Sequence, residues 1–169
     1  MAERLLVRDL MSVGVATCPT DTPIVDITRL LLDKQLEGIV VLDGEGHAVG
    51  SISRDELVQA YSRDDCRSLT AEDVMCDSVP QIPPDIPLIG AVQIMRDMNT
   101  RVVFLLHNSG GIQYPAAALS YTHILRHLAS RSDAELQDLG IAAARKAPLE
   151  TFIEKRDAAR RQSHNPHQE

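Results

Sequence analysis

The chain has 169 residues, 44% hydrophobic and 24% charged, with 17 basic against 24 acidic side chains and a net charge of −7. That size and mix are enough for a real hydrophobic core and exclude both a disulfide-stapled miniprotein and a disordered chain. With no Trp, three Tyr and two Phe, and a negative surface, a base-stacking platform or a phosphate-backbone binder is excluded as well.

In chain order, Val7-Arg8-Asp9-Leu10-Met11 is the first landmark, and Val15 to Thr17 reads as a strand. Pro19-Thr20-Asp21-Thr22-Pro23-Ile24 then opens a helix, with Pro23 in its first turn and Thr22 as its cap. Ile24, Ile27, Leu30 and Leu31 recur at three- and four-residue steps, the stripe of an amphipathic helix. The branched run Ile39-Val40-Val41-Leu42 predicts a strand covered on both faces. Asp43-Gly44-Glu45-Gly46 supplies turn residues, and Ala48-Val49-Gly50-Ser51-Ile52 returns as the second strand of a hairpin. A helix opening at Glu56-Leu57-Val58 ends near Ser62, and Ser62 to Thr70 is a polar joint.

The pattern then repeats. Met11 and Met75 stand 64 residues apart in matching contexts, and Pro83-Pro84-Asp85-Ile86-Pro87-Leu88 restates the proline landmark at the same offset. Val79 to Gln81 is the strand counterpart. Leu88, Ala91, Ile94, Met95 and Met98 form the second helical stripe, and Val102 to Leu106 the second buried strand. Asn108-Ser109-Gly110-Gly111 predicts a longer turn than the first, because the helix at His123-Ile124-Leu125 begins 67 residues after its counterpart Glu56. The unit strand, helix, strand, strand, helix is thus written twice, an α/β (α+β) body of two pseudo-symmetric repeats at residues 5–66 and 67–130, packed sheet beside sheet.

Residues 131–169 are expected to form a helical C-terminal tail. Ser132-Asp133-Ala134-Glu135 is a capping box, Leu136, Leu139, Leu149, Phe152 and Ile153 give apolar stripes, and the chain is expected to be disordered after about residue 162. Arg145, Lys146, Lys155 and Arg156 make the tail mildly basic beside an acidic body. Its apolar residues need a surface, which makes the tail an expected interaction element. Leu30, Leu31 and Leu32 in succession give the first long helix more apolar circumference than one sheet covers, which points to self-association.

On Val7 to Met11, Pro19 to Pro23, Gly38 to Asp43 and Gly50 to Leu57, the sequence resembles a tandem pair of CBS domains, the Bateman module, over roughly residues 5–130. The resemblance implies a homodimer and clefts between the repeats that bind AMP, ADP, ATP or S-adenosylmethionine as a regulatory ligand. The family pattern of a glycine, a Ser or Thr three residues on and an Asp three further maps onto Gly50, Ser53 and Glu56, and onto Ala117, Ser120 and His123. A carboxylate is the natural acceptor for two ribose hydroxyls, and Glu56 keeps it one methylene longer. His123 offers one acceptor when neutral, so the second site is altered or empty. Arg54 is placed to meet a phosphate in the first site. By the same resemblance Val15, Thr17, Ile39 and Ile52 line the first site, and Val79, Gln81, Val103 and Leu119 the second.

Other readings are weaker. His123 and His127 stand one helical turn apart but have no third ligand nearby. Ser53, His47 and Asp55 lack a nucleophile elbow, so no enzyme is expected. Cys18, Cys66 and Cys76 form no Cys-x-x-Cys pair, which fits a reducing cytoplasm; the apolar runs are too short for a membrane span, and neither membrane nor nucleic acid is an expected partner. The chain is therefore expected to be a nucleotide sensor acting on a separate, unidentified protein, the alternative being a ligand-free CBS dimerisation scaffold for protein–protein contacts.

Overall fold

The computed structural model describes residues 5–131; the expectations for the tail fall outside the described residues. Short helix α1 (Val7–Leu10) leads into β1 (Ser12–Val13) and β2 (Thr17–Pro19), followed by α2 (Ile24–Asp33). Strands β3 (Gly38–Leu42) and β4 (Ala48–Ser53) form the first hairpin, and α3 (Arg54–Ala60) closes the repeat. A single 3-10 turn at Cys66–Ser68 precedes α4 (Ala71–Val74), then α5 (Leu88–Asp97), the hairpin β5 (Val102–Ser109) and β6 (Ile112–Ser120), and α6 (Tyr121–Ala129).

Two three-stranded sheets result, ordered β2-β3-β4 and β1-β6-β5. The second contains a strand from the beginning of the chain: Ser12 and Val13 pair antiparallel with Ala118 and Ala117. Val7, Leu10 and Met11 accordingly share a core with Met95, Val103 and Leu119 of the second repeat. The exchange is reciprocal. Ala71 and Met75, which lead into the second repeat, pack on the core of the first with Ile27, Leu31 and Ile52.

Backbone hydrogen bonds repeat this exchange at one offset. The Val7 N–H donates to the Ile86 carbonyl and the Ala71 N–H to the Thr22 carbonyl, at 3.0 and 2.8 Å. Likewise the Leu88 N–H donates to Leu5 and the Ile24 N–H to Leu69, at 2.8 and 3.0 Å. Those last two bonds satisfy the orphan donors at the starts of α5 and α2. Thr22 therefore does not cap α2: Pro23 occupies the N-cap position with no side-chain cap, because a carbonyl of the incoming segment already fills that role. The aspartates of the first landmark do cap. Asp9 Oδ2 accepts from the Leu6 N–H and Asp73 Oδ2 from the Thr70 N–H, both at 2.8 Å.

Val15, Val40, Val102 and Phe104 pack where the two sheets meet. Gly38 permits that approach, since a Cβ there would lie 2.9 Å from Val102 Cγ1 and 3.0 Å from the Ile52 carbonyl oxygen. The expected long turn of the second repeat is instead a tight one. Gly110 and Gly111, at φ 59° and 80°, form a two-residue turn, and the inserted residues lengthen β5 and β6, which stay paired from Val102–Ser120 out to Ser109–Ile112.

Candidate functional site

A cleft of about 360 Å³ lies where the end of β4 and the start of α3 face the α5–β5 loop and the start of β5. Its first wall is built by sequence rules legible in advance. Ser53 caps α3, its Oγ accepting from the Asp55 N–H at 3.1 Å. Glu56 completes the capping box: its Oε2 accepts from the Ser53 N–H at 2.7 Å and from the Ser53 hydroxyl. Both groups of the first motif thus sit at the cleft, held by one another.

The second wall comes from the other repeat. Helix α5 ends with Asn99 in the left-handed region, φ 50°, a conformation Asn tolerates and Gln35 shares at the matching position after α2, φ 52°. This reversal presents Met98, Asn99 and Thr100 to the cleft, followed by Val102 and Phe104 of β5. The Thr100 hydroxyl donates to the Val102 carbonyl at 2.8 Å, fixing its side chain at the rim.

The floor is the segment between the repeats. Cys76 and Ser51 exchange both backbone hydrogen bonds, at 3.1 and 3.0 Å, and the Ser51 hydroxyl donates to the Ser78 carbonyl at 3.0 Å. Ser78 and Pro80 line the cleft, and the Cys76 thiol donates to Glu56 Oε1 at 3.5 Å. Burial, then the Glu56 charge, pushes that thiol above its ordinary range, which keeps it a protonated donor. Glu56 Oε2 therefore carries two hydrogen bonds and Oε1 one long thiol contact, so Oε1 retains acceptor capacity toward the cleft.

Of the residues expected for the first site, Ile52, Ser53 and Glu56 line this cleft, whereas Val15, Thr17, Ile39, Gly50 and Arg54 lie outside its lining. Each has a structural occupation. Val15 joins the inter-sheet core, Thr17 pairs with Val40, and Ile39 is fully buried in the first core. The Arg54 Nε donates to the Leu36 carbonyl at 2.8 Å. Gly50 serves the backbone: a Cβ there would stand 2.5 Å from the Cys76 carbonyl oxygen. In place of the Val15 segment, the cleft at the first motif takes Ser78 and Pro80, which flank Val79. This follows from the exchange, and nothing in the spacing signals it, since both segments match the repeat equally well.

The second motif is a helix cap. Ser120 is buried, and its N–H donates to His123 Nδ1 at 3.0 Å, with the Ser120 hydroxyl 3.2 Å from the same nitrogen. Burial, and next the positive charge of Arg126, hold His123 below the ordinary histidine range, which keeps Nδ1 an acceptor. Val103 and Leu119 are fully buried in the core of the second body, Val79 packs on the inter-sheet core, and the exposed Gln81 bridges to Phe104. Among the described residues no group of three or more His, Cys, Asp or Glu side chains could hold a metal, and no helix is long and apolar enough to cross a membrane.

Comparison with known proteins places this geometry. The CBS domain family model matches residues 7–63, while no curated protein matches the chain. Among solved structures, the CBS domain pair of protein MJ0100 in complex with 5′-methylthioadenosine and S-adenosyl-L-methionine aligns with a TM-score of 0.66 at 18% identity, covering 77% of this chain and 100% of that one. The CBS-domain containing protein ATU1752 from Agrobacterium tumefaciens aligns with a TM-score of 0.64 at 19% identity, over 73% of this chain and 93% of the other. CBSX2 in complex with AMP gives a TM-score of 0.58 at 18% identity, over 73% and 95%. The chain thus carries a match to the CBS domain at residues 7–63, and both its halves together have the fold of a CBS-domain pair.

Proposed function

We propose that the chain is a regulatory module that binds an adenosine-containing ligand, AMP, ADP, ATP or S-adenosylmethionine, in the cleft at Ser53 and Glu56, and transmits occupancy to a separate protein. One observation carries this reading: a 360 Å³ cleft, of the size small-ligand sites have, joins the hydroxyl and carboxylate of the first motif to residues of the other repeat. Glu56 Oε1 is the acceptor for ribose hydroxyls, Ser51 and Thr100 add polar edges, and Ile52, Pro80, Val102 and Phe104 give the apolar wall an adenine ring needs. Because the walls belong to different repeats, a bound ligand sets the angle between them, which is the means of signalling. A thermal-shift screen with AMP, ADP, ATP, S-adenosylmethionine and NAD tests it. A ligand at 100 times its dissociation constant adds about 2.7 kcal/mol of stability, whereas silence from all five favours the scaffold reading.

The module is also read as a homodimer. Val58 on α3 and Tyr61 at its C-cap, and Leu125 and Leu128 on α6, occupy matching positions of the two repeats and are all between 61% and 80% exposed. A duplicated apolar face of this kind suits an isologous contact with a second copy. In the leucine run of α2, Leu31 is buried, Leu30 packs on the core and Leu32 is exposed, so α3 and α6 contribute most of the face.

A further inference from the structure

The charged residues lining the cleft are Asp55 and Glu56, both acidic, so a phosphate entering it meets repulsion unless a cation answers. Arg54, which the sequence suggests for that task, is turned away toward the Leu36 carbonyl. A cation paired with a lining residue comes instead from the opposite repeat. Arg101 stands between the lining residues Thr100 and Val102, and its Nη2 lies 3.4 Å from Asp55 Oδ1. We propose that Arg101 is the residue by which this cleft discriminates phosphorylated from unphosphorylated adenosine ligands, and that its ion pair with Asp55 is the resting latch that a phosphate displaces. This inference rests on the reading of the cleft as an adenosine site.

Three observations carry it. The ion pair links the first repeat to the second through the lining residue Asp55, so exchanging Asp55 for a ligand phosphate moves a contact between repeats onto the ligand. Both side chains are about half exposed, at 55% and 52%, and such a pair holds little net energy, so a bidentate phosphate competes with it successfully. The pair is also not repeated by the pseudo-symmetry: the positions matching Arg101 and Asp55 in the other half are Glu37 and Thr122, neither of which carries a positive charge.

The test is the ratio of AMP to adenosine affinity, measured by titration calorimetry on the full chain. Arg101→Gln should lower that ratio about tenfold or more, the scale of one charge-assisted hydrogen bond, and Asp55→Asn, which frees Arg101 and removes a repelling charge, should raise it. The ratio should also fall with added salt in the wild type and much less in Arg101→Gln. An unchanged ratio in Arg101→Gln, or a fall produced by Arg54→Gln instead, overturns the assignment. Wild-type protein that binds none of adenosine, AMP, ADP, ATP and S-adenosylmethionine overturns the reading of the cleft itself, whereas binding of another of these without AMP overturns the Arg101 assignment alone.

Discussion

Gly50 shows how a single residue serves the site without touching its contents. A β-carbon at this position would overlap the Cys76 carbonyl, whose hydrogen bond from the Ser51 N–H holds the floor of the cleft. Gly50→Ala should therefore cost about 1–3 kcal/mol in urea unfolding, with ligand affinity falling alongside. The glycine itself is visible in the sequence; its partner, 26 residues away, is not, because strand pairing between distant segments leaves no local pattern. His123 makes a second prediction at this scale. Its folded-state pKa lies below the unfolded value of 6.5, so below pH 6.5 the unfolded chain takes up a proton that the native cap refuses. The stabilisation is fully present above that pH and is lost as pH falls through the folded-state value. His123→Gln should flatten the decline of stability between pH 7 and pH 5 relative to wild type; parallel curves would show that the imidazole does not cap α6 as an acceptor.

At the level of elements, the repeat offset makes helices and strands legible in pairs, and α2, α5 and the first hairpin stand where periodicity puts them, while the second hairpin runs longer and turns more tightly than expected. What periodicity does not show is which sheet each incoming segment joins, since Val7–Met11 and Ala71–Met75 have equivalent patterns and either assignment buries the same residues. The structure resolves this by exchange, and that is why Ser78 and Pro80, rather than the Val15 segment, line the cleft at the first motif. Leu10 offers a direct check. It belongs to the first repeat in sequence yet packs in the second core, so Leu10→Ala, expected to cost about 2–5 kcal/mol, should speed hydrogen exchange in β5 and β6 before it does so in β3 and β4. The reverse order would mean that each lead-in packs on its own repeat.

For the whole molecule, the exposed rows along α3 and α6 are the surface on which the proposed homodimer rests. Replacing Tyr61 and Leu128 together by Ser should convert a dimer into a monomer in light scattering at micromolar concentration, with little loss of secondary structure, because both side chains are already exposed in the single chain. A stable monomer before substitution would refute the homodimer. The cleft lies between repeats, and on the proposed function one adenosine ligand per chain bridges the two halves through Glu56 and residues of β5. Titration calorimetry of AMP and of S-adenosylmethionine into wild type, Glu56→Gln and His123→Ala measures this most directly. One site per chain is expected, with an affinity reduced about tenfold or more in Glu56→Gln and little changed in His123→Ala. Absence of heat with either ligand at millimolar concentration, two equal sites, or an unaltered affinity in Glu56→Gln would contradict it.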